Sequence, residues 1–270
     1  MMRTPHSPPA FRHSRPGVGL IAALTREMTP WLRGEHRRRL PGHVPAWRVA
    51  LADGPVVAVV SGMGPTAAGR AATALVRDHR AGGLLSLGFG GALAPGLPAG
   101  ALVLSQTSWH YDPESRRLTP RPAEQDPELV AGLLGRLARA GLAAVPGTLI
   151  TTPVIIAKAV HAPHLTHLPH PVLDLESAAV AARAREAGVP FLGLRAVTDT
   201  AGEEIPAFLA RHLNAFREPT ATQVLGAILR KPARLPRVGS LGGRARLAAG
   251  VLAQALRLLL PVLQGRWGGD

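Results

Sequence analysis

The chain has 270 residues, 46% hydrophobic and 18% charged, which is ample apolar material for a core and excludes disorder over most of its length. It has no cysteine, so disulfides, thiolate catalysis and cysteine-ligated metal sites are excluded together. The formal charge of +14 sits at the ends, in residues 1–45 and 227–270, while residues 46–226 are nearly balanced; this argues against a domain built to track nucleic-acid phosphates.

Residues 1–16, rich in Pro and Arg, lack the apolar stretch of a secretory signal and read as a disordered leader. The continuous apolar run 18–24 predicts a strand buried on both faces. Thr25 is the expected cap of a short helix that Pro30 and Trp31 continue or end. Residues 47–53 and 56–60 read as a hairpin around Asp53, Gly54 and Pro55. A glycine turn at 61–65 leads into an Ala-rich helix over 66–80. Strand 84–87 ends in a second glycine turn, 88–91. Strand 101–106 is followed by a polar segment, 107–125, that reads as a loop. Asp126 and Pro127 open a helix over 126–141. Short strands follow at 147–152 and 172–175, then a helix over 177–187 stopped by Gly188, and a buried strand at 191–197. Helices are expected at 205–216 and 221–229, and a long helical tail at 244–263.

Apolar strands alternating with helices predict an α/β protein: a central mixed, mostly parallel sheet covered by helices on both faces, with a C-terminal helical extension. The expected organisation is a leader at 1–16, one domain at 17–229, and a basic linker with an amphipathic helical tail at 230–270. In such sheets the ligand lies beyond the carboxyl ends of the strands. Three carboxylates directly follow buried strands there: Glu27, Glu176 and Asp199. A carboxyl at the mouth of an apolar strand is partly desolvated, which suits it to exchange a proton near neutral pH. The two glycine turns would let backbone N–H groups approach an anion or oxygen closely. On spacing alone, Glu176 and Asp199 could equally be helix caps.

Three blocks, in this order, resemble the nucleoside phosphorylase/nucleosidase superfamily, which holds purine nucleoside phosphorylases and methylthioadenosine/S-adenosylhomocysteine nucleosidases. They are GLIAALTRE at 19–27; SGMGPTAA at 61–68 continuing to LLSLGFGGALAPGLPAG at 84–100; and VLDLESAAVA at 172–181 continuing to GVPFLGLRAVTDTA at 188–201. The third block is the most specific. The resemblance implies that Asp199 is the general acid protonating N7 of a departing purine, and that Glu176 grips the ribose hydroxyls. It places Glu27 where nucleosidases keep the carboxylate that activates water. It also puts Leu175, Gly88, Phe89, Gly90 and Thr198 around the substrate, and it reads Arg195 as structural. Phosphorylases of this family often carry an arginine before the second glycine turn, where this chain has Ser86 and Leu87. Nucleosidases commonly carry a hydroxyl residue where it has Phe89. Gly62, Gly64 and Arg26 remain as candidates for the phosphate or nucleophile side.

Within the superfamily the chain is most similar to hopanoid-associated nucleoside phosphorylases, through the block at 61–68 and the segment RKPARLP at 230–236. This implies an adenosyl lipid as substrate, a nucleoside with a 5′ substituent cleaved at adenine. No cofactor is implied, and phosphate would be co-substrate if the reaction is phosphorolysis. The resemblance also implies a homo-oligomer in the cytoplasm that binds a small-molecule nucleoside and no nucleic acid. In the tail, Leu247, Val251, Leu252, Ala255, Leu258, Leu259, Val262 and Leu263 fall at helical spacing. Such a face can pack on the sheet or a second protomer, or lie at the inner membrane face as a peripheral contact. The rival to catalysis is a protein that only binds a nucleoside or lipid. Two other signals carry little weight. His161, His164, His167 and His170 recur every three residues, but Pro163 and Pro169 break any helix that would align them, so no metal site is expected. Gly62 and Gly64 lack the third glycine of a dinucleotide fingerprint. Trp109 and His110, in the polar segment, are candidate contacts to the base or the 5′ group.

Overall fold

A computed structural model describes residues 17–119, 123–216 and 235–268. The expected leader, the helix at 221–229 and the start of the expected linker lie outside the described residues. Strand β1 (Val18–Ala22) lies between β4 (Gly54–Val60) and β5 (Gly83–Ala92), parallel to both. On one side β5 pairs parallel with β11 (Phe191–Asp199). Beyond it come β6 (Leu102–Asp112), antiparallel to β11, then β9 (Ala144–Thr151) and β10 (Val172–Asp174). On the other side β4 pairs with β3 (Ala46–Leu51), and β3 with β2 (Arg37–Arg39). Strand β10 also pairs antiparallel with β5, which brings the far edge of that half back to the sheet centre.

Side chains in a strand alternate faces, and here both faces are covered, which is why the strands read as unbroken apolar runs. Val18, Leu20 and Ala22 of β1, with Val56, Ala58 and Val60 of β4, lie on one side in the core cluster that includes helix α1 (Thr25–Leu32), while α3 (Pro127–Arg139) packs on β6 and β9. Ile21, Val57 and Val59 point the other way, toward α2 (Pro65–Arg77) and, beside it, α5 (Ser177–Glu186). The other α-helices among the described residues are α4 (Lys158–His161), α6 (Ala207–Phe216) and α7 (Leu235–Trp267).

The fold class is the one expected, and several local assignments change. Residues 88–91 are not a turn: they continue β5, paired with β11 on one side and, at Gly91, with β10 on the other. A Cβ at Gly90 would stand 2.4 Å from Val172 Cγ1, so absent side chains allow the close approach. The expected loop 107–125 is largely strand, because β6 runs on to Asp112 beside β9 and adds β7 (Arg117–Leu118) and β8 (Ala123–Glu124). Thr25 is inside α1, with Leu24 at the cap position.

The tail helix α7 is long and apolar enough by length and composition to cross a membrane, yet its apolar side lies in the protein's own core. Leu252, Leu256, Leu259, Leu260 and Leu263 are buried against the sheet and α1. Trp267 closes over Gly82 and Gly83, where a Cβ would collide with its ring or carbonyl. Gln264 donates to the carbonyls of Gly54 (2.9 Å) and Pro55 (2.8 Å). Of the expected stripe, Leu247 is the exposed member.

Candidate active site

Glu27, Glu176 and Asp199 meet at one cavity of about 170 Å³, beyond the ends of β1, β5, β10 and β11. Each is held by a different local device. Glu27 is the third residue of α1; its Oε2 accepts the Leu24 N–H (2.8 Å), as a helix-capping carboxylate does, and its Oε1 accepts the Phe89 N–H (2.9 Å). Gly88 makes this possible, since a Cβ there would lie 3.0 Å from Glu27 Oε1. Burial raises the Glu27 carboxyl above its ordinary pKa, and the two N–H donors and Arg195 oppose that only in part.

Glu176 stands at the cap position of α5, and its Oε1 accepts the Gly64 N–H (3.0 Å). Burial first, then the neighbouring Asp174 and Glu27 carboxyls, push it up to about 8 against the pull of Arg195. Burial thus favours its neutral form. Asp174 Oδ1 accepts the N–H groups of Glu176 (3.1 Å) and Ser177 (3.2 Å) and the Thr151 hydroxyl (2.5 Å). Arg195, fully buried inside β11, faces Asp174 Oδ2 with Nε (3.0 Å), and its other nitrogens donate to Ser86 Oγ and to the carbonyls of Ser86 and Leu194. Its Nη2 also stands 3.9 Å from Glu176 Oε2. Arg195 thus ties two acids to β5 and is spent inside the protein.

Asp199 ends β11, just after a register shift that turns the chain at Val197. Its Oδ1 accepts the Thr198 hydroxyl (2.8 Å) and its Oδ2 forms an ion pair with Lys158 of α4. Phe89, Gly90, Leu175 and Thr198 line the cavity, together with Met63, Ile155 and Ile205. Arg26 is exposed at its wall, with its guanidinium 5.6 Å from the Phe89 ring centre.

Some expected residues are placed differently. Gly62 and Gly64 do not reach the cavity wall as anion donors, because their N–H groups are taken by Ala23 O (3.1 Å) and Glu176. Gly88 lies behind Glu27 rather than on the wall. Trp109 and His110 are on β6 and do not line this cavity. The histidine series is dispersed: His161 Nδ1 meets the Tyr111 hydroxyl (3.0 Å), and His170 Nδ1 donates to Pro146 O (2.8 Å). The residue that sequence reasoning passed over is Lys158; a lone interior lysine in an Arg-rich chain was the available signal.

The model of the Phosphorylase superfamily matches residues 18–231. Among solved structures, the 5′-methylthioadenosine/S-adenosylhomocysteine nucleosidase of Colwellia psychrerythraea, in complex with adenine, is 18% identical with a TM-score of 0.70, covering 97% of this chain and 99% of that one. The corresponding nucleosidase of Neisseria meningitidis, in complex with methylthio-immucillin-A, is 21% identical with a TM-score of 0.69, covering 91% and 98%. Futalosine hydrolase of Helicobacter pylori is 16% identical with a TM-score of 0.69, covering 90% and 96%. At these identities the likeness to the solved structures is one of fold.

Proposed function

This chain belongs to the phosphorylase superfamily, and from that premise we propose that it cleaves the N-glycosidic bond of a purine ribonucleoside with a 5′ substituent, releasing adenine. The observation that carries the reading is the convergence of Glu27, Glu176 and Asp199 on one largely apolar cavity. Asp199 gives a proton to N7, so that the base leaves neutral. Glu176 grips the ribose hydroxyls, and those hydrogen bonds strengthen as the sugar becomes cationic. Glu27, with its raised proton affinity, takes the proton of an attacking water. Hydrolysis is favoured because the buried guanidinium of Arg195 is committed to protein acceptors rather than free to hold phosphate. Phosphorolysis is the second reading, supported by Arg26 at the wall.

Met63, Ile155 and Ile205 support an apolar 5′ group, with an adenosyl lipid as the specific candidate. Self-association belongs to the same reading. The test is product analysis on adenosine, methylthioadenosine and an adenosyl lipid, with and without phosphate. Free adenine with free sugar is the expected outcome, and ribose 1-phosphate would select the second reading. Binding of nucleosides without release of base under any condition would replace the enzyme with a binding protein. Asp199→Asn should slow adenine release by roughly 10²–10⁴-fold with an unchanged circular dichroism spectrum.

A further inference from the structure

Lys158 belongs to the cavity wall, yet none of the steps above uses it. Its side chain is 6% exposed. The ammonium forms an ion pair with Asp199 Oδ2 and donates to the backbone carbonyls of Asp199 (3.1 Å) and Thr200 (2.9 Å). Two of the ammonium's three N–H donors go to these carbonyls, and the ammonium faces Asp199 Oδ2 as an ion pair. Asp199 is the charged group it touches, so its influence on a substrate runs through Asp199. The pair also has a seat made for it: at Gly91 a Cβ would lie 2.6 Å from Asp199 Oδ2 and 3.2 Å from Lys158 Nζ. The choice of cation fits the geometry as well. The chain has 29 arginines and two lysines, and one of those two stands here. Three acceptors converging on one point suit a compact ammonium, whereas a guanidinium presents a flat fork.

We propose that Lys158 is a positioning residue for proton delivery: it fixes the Asp199 carboxyl at the end of β11 and holds the negative charge that Asp199 acquires when its proton moves to the purine. The inference rests on the reading of Asp199 given above. The resting ion pair holds Asp199 as a carboxylate, so the reacting complex is the one in which Asp199 has taken a proton from solvent; as the C1′–N9 bond breaks, both electrons go to the base and N7 takes that proton. Asp199 is left as a carboxylate facing the ammonium. Water then adds at C1′, and the proton it releases balances the one given to the base.

The test compares two leaving groups in wild type, Lys158→Met and Lys158→Arg. Adenosine needs a proton on its base, whereas 4-nitrophenyl β-D-ribofuranoside releases 4-nitrophenolate without one. A positioned acid contributes roughly 10²–10⁴-fold, so Lys158→Met is expected to lose at least about tenfold in kcat on adenosine and less than about threefold on the nitrophenyl riboside. Lys158→Arg should regain part of the adenosine rate. Equal losses on both substrates would show a merely structural lysine and overturn the inference. If Lys158→Met does not fold, Gly91→Ala, which wedges a methyl group against the pair, should give the same split, and an equal loss there is equally fatal. Wild-type protein that releases no base from adenosine, methylthioadenosine or an adenosyl lipid overturns the reading of Asp199 instead, and is recognised without any variant.

Discussion

Glu176 couples the site to the stability of the fold through one proton. Folded, its carboxyl keeps that proton up to about pH 8; in the unfolded chain it releases it near pH 4.5. Between those values the folded state binds more protons, so the stabilisation is full below about pH 4.5 and is lost as the pH rises to about 8. Glu176→Gln cannot ionise, so it should gain stability relative to wild type from about pH 5 to about pH 8, read from urea midpoints. A difference that stays constant over that range would contradict the burial argument. Glu27 has a double role, since each carboxylate oxygen accepts a backbone N–H. Glu27→Ala strands both donors and should cost about 1–3 kcal/mol in chemical denaturation in addition to its effect on turnover. Full stability with lost turnover would show that water replaces the carboxylate in both bonds.

Among the elements, the start of α5 is the one that aims Glu176. Thr151 on β9 donates to Asp174 and accepts the Ala178 N–H (2.9 Å), so a strand hydroxyl and a strand carboxylate together cap the helix. Thr151→Val keeps the shape and removes both bonds. It should lower stability by about 1–2 kcal/mol, as loss of a cap does, and raise KM by loosening Glu176. An unchanged KM would mean that Arg195 and Gly64 suffice to hold it. The same elements show why local reading fell short. Residues 88–91 look like a turn because glycines favour turns, and they become strand because β10 and β11 press close on both sides. The segment 107–112 looks like loop because it is polar, and it becomes strand because β9 supplies a ladder beside it.

At the scale of the whole molecule, α7 completes the core that the sheet begins, contacting α1, α3, β1, β5 and β11. Leu259 is fully buried in that layer, so Leu259→Ala should destabilise the protein by about 2–5 kcal/mol in urea unfolding. A loss below about 1 kcal/mol would mean that the helix docks loosely. Composition and apolar periodicity alone determined the α/β class, because a strand buried on both faces must be apolar throughout. They also marked Glu27, Glu176 and Asp199, because acids that follow such strands stand at the sheet's carboxyl edge. Which atoms those acids face was decided only in three dimensions. The Lys158–Asp199 pair joins residues 41 positions apart, and Arg195 reaches Ser86 over 109. The apolar stripe marked the side of α7 that turns inward, but what that side packs against was decided in the tertiary structure. Contacts between residues so distant in the chain leave no periodicity for a sequence to display.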